Sequence, residues 1–132
     1  MLPSAVIAVV DDDESAREGV SDLVSTLGFD VRAFVSAEDF LQFDEVASCL
    51  CLIVDMKLGK MSGLDLHDFL IASGARIPTI LITAYPDEQL RLRAFASGVV
   101  CYLRKPFMAQ ELLSCLRRAL GKHYPSQPPQ PE

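Results

Sequence analysis

The sequence predicts an α/β fold in which five parallel strands alternate with five helices. Two observations support this prediction. Short apolar runs, each of strand length, recur along the chain at positions 5–10, 30–35, 50–54, 77–83 and 99–103. Segments with the apolar spacing of helices lie between these runs, and alternation of this kind is typical of a parallel sheet covered by helices.

The composition of the second run predicts its place in the sheet. Four of the five runs are apolar almost throughout, as expected of parallel strands that are buried on both faces. The run at 30–35 contains Arg32, whose charge is unfavourable in a strand covered on both faces. We therefore expect the second strand at an outer edge of the sheet.

The predicted helices are marked by apolar spacing and by residues typical of helix ends. Apolar residues repeat with helical spacing from Val20 to Leu27, and Gly28 suits the left-handed conformation that ends many helices. Ser36 and the aspartate three residues on resemble a capping box, which predicts a short second helix. The other helices are expected to end at glycines near positions 74, 98 and 121. His67 has no second histidine at ligand spacing, so we interpret it as an exposed helix residue.

Length and charge limit the domain organisation and the partners. With 132 residues, half of them apolar, the chain is expected to form one domain over 1–123, followed by a proline-rich linker or tail over 124–132. The net charge of −6 argues against a nucleic-acid interface in this segment. Acidic residues follow Val10 at once, so neither a signal peptide nor a membrane segment is expected.

The cysteines indicate a reducing location. Cys49, Cys51, Cys101 and Cys115 lie within apolar runs and lack the spacing of a disulfide framework, which predicts a cytoplasmic protein. Cys49 and Cys51 are two positions apart, so regular strand alternation would place both on one face of the sheet. We interpret them as small core residues.

Polar residues follow four of the predicted strands. Because the carboxyl ends of parallel strands meet at one edge of a sheet, these side chains should lie together where ligands of open α/β sheets bind. They are Asp11, Asp12 and Asp13 after the first strand, Asp55 after the third, Thr83 at the end of the fourth and Lys105 after the fifth. Carboxylates crowded beside a low-dielectric core raise one another's pKa unless a cation lies between them. Mg²⁺ is the expected cation, since it prefers oxygen ligands.

The same residues suit phosphoryl transfer to a carboxylate. Such a transfer needs a nucleophile, a cation and donors for the phosphoryl oxygens. Asp55 is the candidate nucleophile because it stands alone, whereas the aspartates after the first strand are expected to bind the metal. Lys105 would pair with one phosphoryl oxygen, and the Thr83 hydroxyl would donate to another.

Five short motifs occur in a specific order and spacing. They are Val9-Val10-Asp11-Asp12-Asp13, Ile53-Val54-Asp55, Met61-Ser62-Gly63-Leu64, Thr83-Ala84 and Lys105-Pro106-Phe107. Together they resemble the receiver domain of two-component response regulators, over roughly residues 4–121. The resemblance implies a flavodoxin-like (βα)5 fold, with a five-stranded parallel sheet of order 2-1-3-4-5 and helices on both faces.

The resemblance also implies how the site works. Asp55 would accept a phosphoryl group from the phosphohistidine of a sensor histidine kinase. Mg²⁺ would be bound by Asp12, Asp55 and the backbone carbonyl of Lys57, with Asp11 assisting through water. The domain would be a phosphoacceptor with at most self-catalysed phosphorylation and dephosphorylation, not an enzyme with turnover.

In this family a switch connects the phosphorylated site with a distant surface. The residues implied here are Thr83 and Tyr102, which would remodel the surface made by the fourth helix, the fifth strand and the fifth helix. That surface would support a homodimer or control an output domain beyond Glu132, with transcription regulation as the favoured output.

Some positions depart from the usual family pattern. Gly59 stands where many receivers have proline, which predicts a more mobile loop after the third strand. Lys57 places an ammonium beside the acidic residues and would compete with Mg²⁺, so Lys57→Asn is expected to tighten Mg²⁺ binding. Lys57 and Tyr85 would also flank the path of attacking water and set the lifetime of the phosphoryl group.

Two alternative functions remain open from the sequence. The segment Asp11-Asp12-Asp13-Glu14-Ser15 loosely resembles the strand-end motif of haloacid-dehalogenase-like phosphatases, in which Asp11 would be the nucleophile. The other alternative is a pseudo-receiver that binds partners without being phosphorylated. The site of a phosphodonor label would separate these functions, because each places the label on a different residue or on none.

Overall fold

The computed structural model, which describes residues 6–124, contains a five-stranded parallel sheet. The strands are β1 (Val6–Val10), β2 (Asp30–Phe34), β3 (Cys49–Asp55), β4 (Thr79–Thr83) and β5 (Cys101–Arg104). Their order is β2-β1-β3-β4-β5, and each neighbouring pair is parallel. The predicted strand order is confirmed, and so is the edge position of the second strand.

Five helices alternate with the strands. They are α1 (Glu14–Ser25), α2 (Ala37–Leu41), α3 (Gly63–Ala72), α4 (Glu88–Ala96) and α5 (Ala109–Leu120), with single 3-10 turns at Val46–Ser48 and Gly121–His123. Each of the first four helices is preceded by a residue whose side chain accepts a backbone N–H of the first turn. These capping residues are Asp13, Ser36, Ser62 and Asp87. At α2 the structure shows one half of the predicted capping box, a 3.0 Å bond from the Asp39 N–H to the Ser36 hydroxyl.

The helices cover both faces of the sheet, as the sequence predicts. The fully buried strand β1 alternates between the faces: Val6, Ala8 and Val10 pack with α2, α3 and α4, whereas Ile7 and Val9 pack with α1 and α5. This arrangement leaves the carboxyl ends of the strands, and the loops that follow them, at one edge of the domain.

Several strand ends differ from the prediction by one or two residues. The fourth and fifth strands begin at Thr79 and Cys101, two residues later than predicted, because Ile77 and Val99 pack into the core from the preceding loops. The second strand ends before Val35, whose side chain is exposed, and the third extends from Cys49 to Asp55. An apolar run therefore marks core packing more faithfully than it marks the hydrogen-bonded ladder.

The expectation that Cys49 and Cys51 share a face is wrong. Val6 pairs with Cys49 but Ile7 pairs with Cys51, so Leu50 is an extra residue on β3 and the alternation is interrupted. Cys49 packs with the core beneath α2 and α3, whereas Cys51 packs with the core beneath α1 and α5. All four cysteines are buried and free, consistent with their interpretation as core residues.

The expectation that His67 is exposed is also wrong. Its side chain is 3 % exposed, because the end of α4 lies against α3 at this point. The His67 Nδ1 lies 3.2 Å from the Ser97 Oγ, and that hydroxyl donates a 2.5 Å hydrogen bond to Asp68 Oδ1. The hydroxyl has one hydrogen, so a hydrogen bond between His67 and Ser97 requires the tautomer that carries its proton on Nδ1.

Two predictions fall partly or wholly outside the described residues. The predicted first strand starts at Ala5 and the predicted tail covers 124–132, of which Tyr124 alone is described. The Tyr124 ring lies 5.2 Å from the Arg117 Cζ of α5. Between residues 6 and 124, no helix is long and apolar enough to span a membrane.

Candidate functional site

Three carboxylates meet at the carboxyl edge of the sheet. Asp11 and Asp12 directly follow β1, and Asp55 is the last residue of β3. One oxygen from each of the three lies within 4.8 Å of the others. Asp11 and Asp55 are buried and Asp12 is exposed. A set of three oxygen donors, partly open to solvent, fits the preference of Mg²⁺ for carboxylate and water ligands.

Lys105 supplies a positive charge to this carboxylate group from the loop after β5. Its Nζ donates to Asp55 Oδ2 at 2.8 Å and to Asp11 Oδ2 at 3.2 Å. Burial acts to lower the pKa of Lys105, but the hydrogen bond to Asp55 and the charge of Asp11 outweigh it and raise the pKa above its ordinary value. The ammonium therefore stays charged between the two carboxylates.

Asp11 is held on both carboxylate oxygens. Its Oδ1 accepts the Asp13 N–H at 2.9 Å, and its Oδ2 accepts from Lys105. Burial and the nearby charge of Asp55 raise the pKa of Asp11, whereas the Asp13 N–H and Lys105 act to lower it. Both oxygens of Asp11 are thus engaged, one by the loop backbone and one by Lys105, which suits a supporting group at the site.

The loop between β1 and α1 is held by a residue that the sequence analysis did not single out. Arg17, in the first turn of α1, donates from its Nη1 to the backbone carbonyl of Asp11 at 2.8 Å. Asp13 caps the same helix by accepting the Ala16 N–H at 2.9 Å. The only sequence signal for Arg17 is its position one turn after Asp13, on the side of the helix that faces the loop.

The loop between β3 and α3 brings Lys57 and Gly63 to Asp55. The Lys57 N–H donates to Asp55 Oδ1 at 3.2 Å, so the Lys57 backbone lies beside the Asp55 carboxylate. Gly59 has φ +85°, a conformation that proline cannot adopt. A Cβ on Gly63 would lie 2.5 Å from the Asp55 carbonyl oxygen. Glycine is therefore required where α3 begins against the backbone of Asp55.

The outer wall of the site is formed by Lys57, Thr83 and Tyr85. They line a cavity of about 290 Å³ together with Asp12 and Asp55. The Lys57 Nζ lies 5.6 Å from the centre of the Tyr85 ring, a cation–π arrangement at the cavity mouth. The buried Thr83 hydroxyl oxygen accepts the Tyr85 N–H at 3.0 Å. Lys105, and not the Lys57 side chain, is thus the cation that contacts the carboxylates.

Tyr102, the other predicted switch residue, lies on β5 away from the carboxylates. Its side chain is half-buried, and its hydroxyl oxygen accepts the Asp87 N–H at the start of α4 at 3.3 Å. The structure therefore connects Tyr102 with α4, while Thr83 lies beside the acidic group.

Residues 7–117 match the sequence model of the response regulator receiver domain family. The chain belongs to this family. It is 38 % identical over 117 residues to the response regulator protein TodT of Pseudomonas putida, covering 89 % of this chain and 52 % of TodT. It is 31 % identical over 122 residues to the transcriptional regulatory protein FixJ of Azorhizobium caulinodans, covering 92 % of this chain and 58 % of FixJ.

Solved receiver structures agree with this assignment. The response regulator StyR has a TM-score of 0.82 and 36 % identity, with 91 % of this chain and 61 % of StyR covered. A receiver domain protein from Clostridium thermocellum has a TM-score of 0.81 and 29 % identity, with 89 % and 95 % covered. This receiver domain spans about half the length of the curated relatives it matches. Response regulators are signalling proteins, so the phosphatase and pseudo-receiver alternatives are not favoured.

Proposed function

We propose that this receiver domain accepts a phosphoryl group on Asp55. The observation that carries the proposal is the position of Lys105, whose Nζ lies 2.8 Å from Asp55 Oδ2. The ammonium orients the carboxylate before transfer and is close enough to pair with a phosphoryl oxygen afterwards. Asp55 is buried but borders the cavity that opens between Asp12 and Tyr85, so a donor has a route to it.

The proposed transfer is a displacement at phosphorus. An oxygen of the Asp55 carboxylate forms a bond to the phosphorus of a partner's phosphohistidine, and the phosphorus–nitrogen bond breaks with its electron pair remaining on the imidazole. The Thr83 oxygen already accepts from Tyr85, and among the described residues its hydrogen has no acceptor, so it can donate to a phosphoryl oxygen. The products are an acyl phosphate and a free histidine.

We propose Mg²⁺ as the cofactor, bound by Asp12, Asp55 and the Lys57 carbonyl, with Asp11 in support. When bound, the ion neutralises charge on the carboxylates and the phosphoryl oxygens. The fit rests on the three carboxylate oxygens within 4.8 Å of one another. The Lys57 ammonium lines the same cavity, which supports the prediction that Lys57→Asn tightens Mg²⁺ binding.

A sensor histidine kinase is the proposed partner. An apolar groove of about 570 Å³ lies beside the site, lined by α1 residues such as Val20 and Leu23 and by Phe107 after β5. Lys105 and Ala84 border the same groove, so an apolar helix docked there would hold its histidine close to Asp55. We place this exchange in the cytoplasm, in keeping with the four free cysteines.

The proposed output surface is formed by α4, β5 and α5, with Thr83 and Tyr102 as switch residues. Phosphate shifts the conformation of this surface only if one of two arrangements binds it better. In the form described here, the Tyr102 hydroxyl is engaged with the start of α4. We propose that the altered surface forms a homodimer or acts on a further domain, by analogy with the longer transcriptional regulatory relatives.

Chemical labelling tests the proposal. The protein is treated with acetyl phosphate and Mg²⁺, the acyl phosphate is reduced with borohydride, and the modified residue is mapped by mass spectrometry. We expect one modification, at Asp55, that is absent from Asp55→Asn. Asp30→Asn is the matched control, because it removes an exposed carboxylate of β2 far from the site. Modification of Asp11 would instead support the phosphatase reading, and no modification would support the pseudo-receiver.

A further inference from the structure

The loop between β1 and α1 is braced on both sides of Asp12. The Asp11 N–H donates to the Phe34 carbonyl at 3.1 Å, and the Asp11 carboxylate accepts the Asp13 N–H. The Asp13 carbonyl accepts the Arg17 N–H at 2.9 Å. Among residues 6–124, by contrast, no hydrogen bond to the exposed Asp12 side chain is present. The backbone of the loop must therefore place the Asp12 carboxylate beside Asp11 and Asp55.

Arg17 fixes the peptide unit that immediately precedes Asp12 in the loop. Its guanidinium donates to the Asp11 carbonyl at 2.8 Å, and this carbonyl belongs to the peptide unit that joins Asp11 to Asp12. A peptide unit is planar, so fixing the direction of its carbonyl also fixes the direction of its N–H and of the next Cα. The contact is partly buried and spans six residues, which makes it a brace across the loop.

We infer that Arg17 is a positioning residue for the divalent cation. By holding the peptide between Asp11 and Asp12, it keeps the Asp12 carboxylate within reach of Asp55. This inference rests on the proposed function, because it concerns the ion that Asp12 and Asp55 would bind. Arg17 acts through the backbone and does not itself contact the cation.

The charge of Arg17 has the opposite effect on the cation. A guanidinium beside the acidic loop repels a divalent ion, so its removal would by itself tighten binding. Its role as a brace predicts that removal weakens binding, because ligands released from their orientation must be ordered again by the ion. The sign of the change in affinity therefore distinguishes the brace from the charge.

The experiment is a calorimetric titration of the whole chain with MgCl₂. Arg17→Gln removes the charge and shortens the donor, whereas Arg17→Lys keeps the charge and a donor. Arg32→Gln is the matched control, since Arg32 lies on β2 with a side chain 52 % exposed and its ion pair is with Asp30. We expect Arg17→Gln to raise the Mg²⁺ Kd about tenfold, Arg17→Lys to recover most of the affinity, and Arg32→Gln to change it little.

A second measurement follows the loop without metal. In the metal-free protein, amide hydrogen exchange at Asp13 and Ala16 should be faster in Arg17→Gln than in Arg32→Gln, because both amides donate to carboxylates of the braced loop. Unchanged exchange at these amides would overturn the inference. The inference would also be overturned if Arg17→Gln bound Mg²⁺ as tightly as wild type or more tightly. The same holds if Arg32→Gln lost as much Mg²⁺ affinity as Arg17→Gln.

The outcomes also separate this inference from the proposed function. If the wild-type protein binds Mg²⁺ and is labelled on Asp55 but Arg17→Gln binds equally well, the role of Arg17 alone is wrong. If the wild-type protein binds no Mg²⁺, both the proposed cofactor and the positioning role are wrong. Labelling of Asp55 in the first experiment then shows whether the phosphoacceptor role survives without the ion.

Discussion

Helices α4 and α5 border the same proposed surface, but they are attached to the domain in different ways. Helix α5 buries four apolar residues against the sheet: Leu112, Cys115, Leu116 and Leu120. Of the nine residues of α4, all within the described range, Ala94 is the one that is buried, while Leu92 is 57 % exposed. The side chain of Ser97, at the end of α4, instead bonds to Asp68 of α3.

This difference assigns different roles to the two helices. Apolar burial is lost when a helix moves, so α5 is fixed to the sheet by the free energy of its core contacts. Hydrogen bonds near the surface can be exchanged for bonds to water or to other groups at little net free energy. We therefore expect α4 to be the movable part of the proposed output surface and α5 the fixed part.

The strongest test compares a leucine from each helix. Leu116→Ala on α5 empties a fully buried position and should lower the free energy of unfolding by about 2–5 kcal/mol. Leu92→Ala on α4 should change it by less than about 0.5 kcal/mol. Urea unfolding followed by circular dichroism measures both. Similar losses for the two variants would show that α4 is as firmly packed as α5.

A smaller effect is expected at the polar attachment of α4. Ser97→Ala removes the hydroxyl between His67 and Asp68 and should lower the free energy of unfolding by about 1 kcal/mol. Ser114→Ala is the control on α5, because Ser114 is exposed; a change of less than about 0.5 kcal/mol is expected there. If urea unfolding gave the same change in free energy for Ser97→Ala and Ser114→Ala, Ser97 would not attach α4 to α3.

The attachment of α4 should also depend on pH through His67. Burial lowers the pKa of His67 below 6.5, although the neighbouring Asp68 partly opposes this. The unfolded chain then binds the proton more readily, so His67 contributes stability above pH 6.5 that is lost as the pH falls through this value towards the folded pKa. Between about pH 7.5 and 5.5, wild type should lose more unfolding free energy than His67→Gln. Equal losses of unfolding free energy in wild type and His67→Gln would contradict the predicted effect of His67.

The smallest effect on stability is expected at the other end of α4. Tyr102→Phe removes the acceptor of the 3.3 Å bond from the Asp87 N–H, an exposed contact, and should change the free energy of unfolding by less than about 0.5 kcal/mol. Amide hydrogen exchange at Asp87 should nevertheless become faster, while exchange in α5 stays unchanged. Unaltered exchange at Asp87 would mean that Tyr102 does not hold the start of α4.

Residue types were sufficient to predict the general architecture and the place of the site. The apolar runs and the charge of Arg32 predict the parallel sheet and its edge, and parallel strands bring Asp55 and Lys105 together. The family resemblance supplied the remaining strand order. The metal, the phosphoacceptor and the switch stay predictions, because they concern bound groups and a second conformation.

The errors arose where long-range or backbone geometry decides the outcome. The extra residue at Leu50 depends on the pairing of β1 with β3, and no local residue signal reveals that pairing. His67 lies against Ser97, which follows α4 and is 30 positions further along the chain. Arg17 was missed because it donates a hydrogen bond to a backbone carbonyl, and residue types do not reveal the direction in which a backbone carbonyl points.

The open edge of the sheet at β2 has a consequence for how copies of this domain meet. An unpaired strand edge invites a strand from another molecule and can lead to aggregation. Here Asp30 and Arg32 lie on that edge, paired with each other at 3.5 Å and each about half exposed. An incoming strand would have to bury or displace both charges, so this edge resists growth by strand addition. Contacts between copies are thereby left to other parts of the domain, including the proposed surface of α4, β5 and α5 at the opposite edge of the sheet.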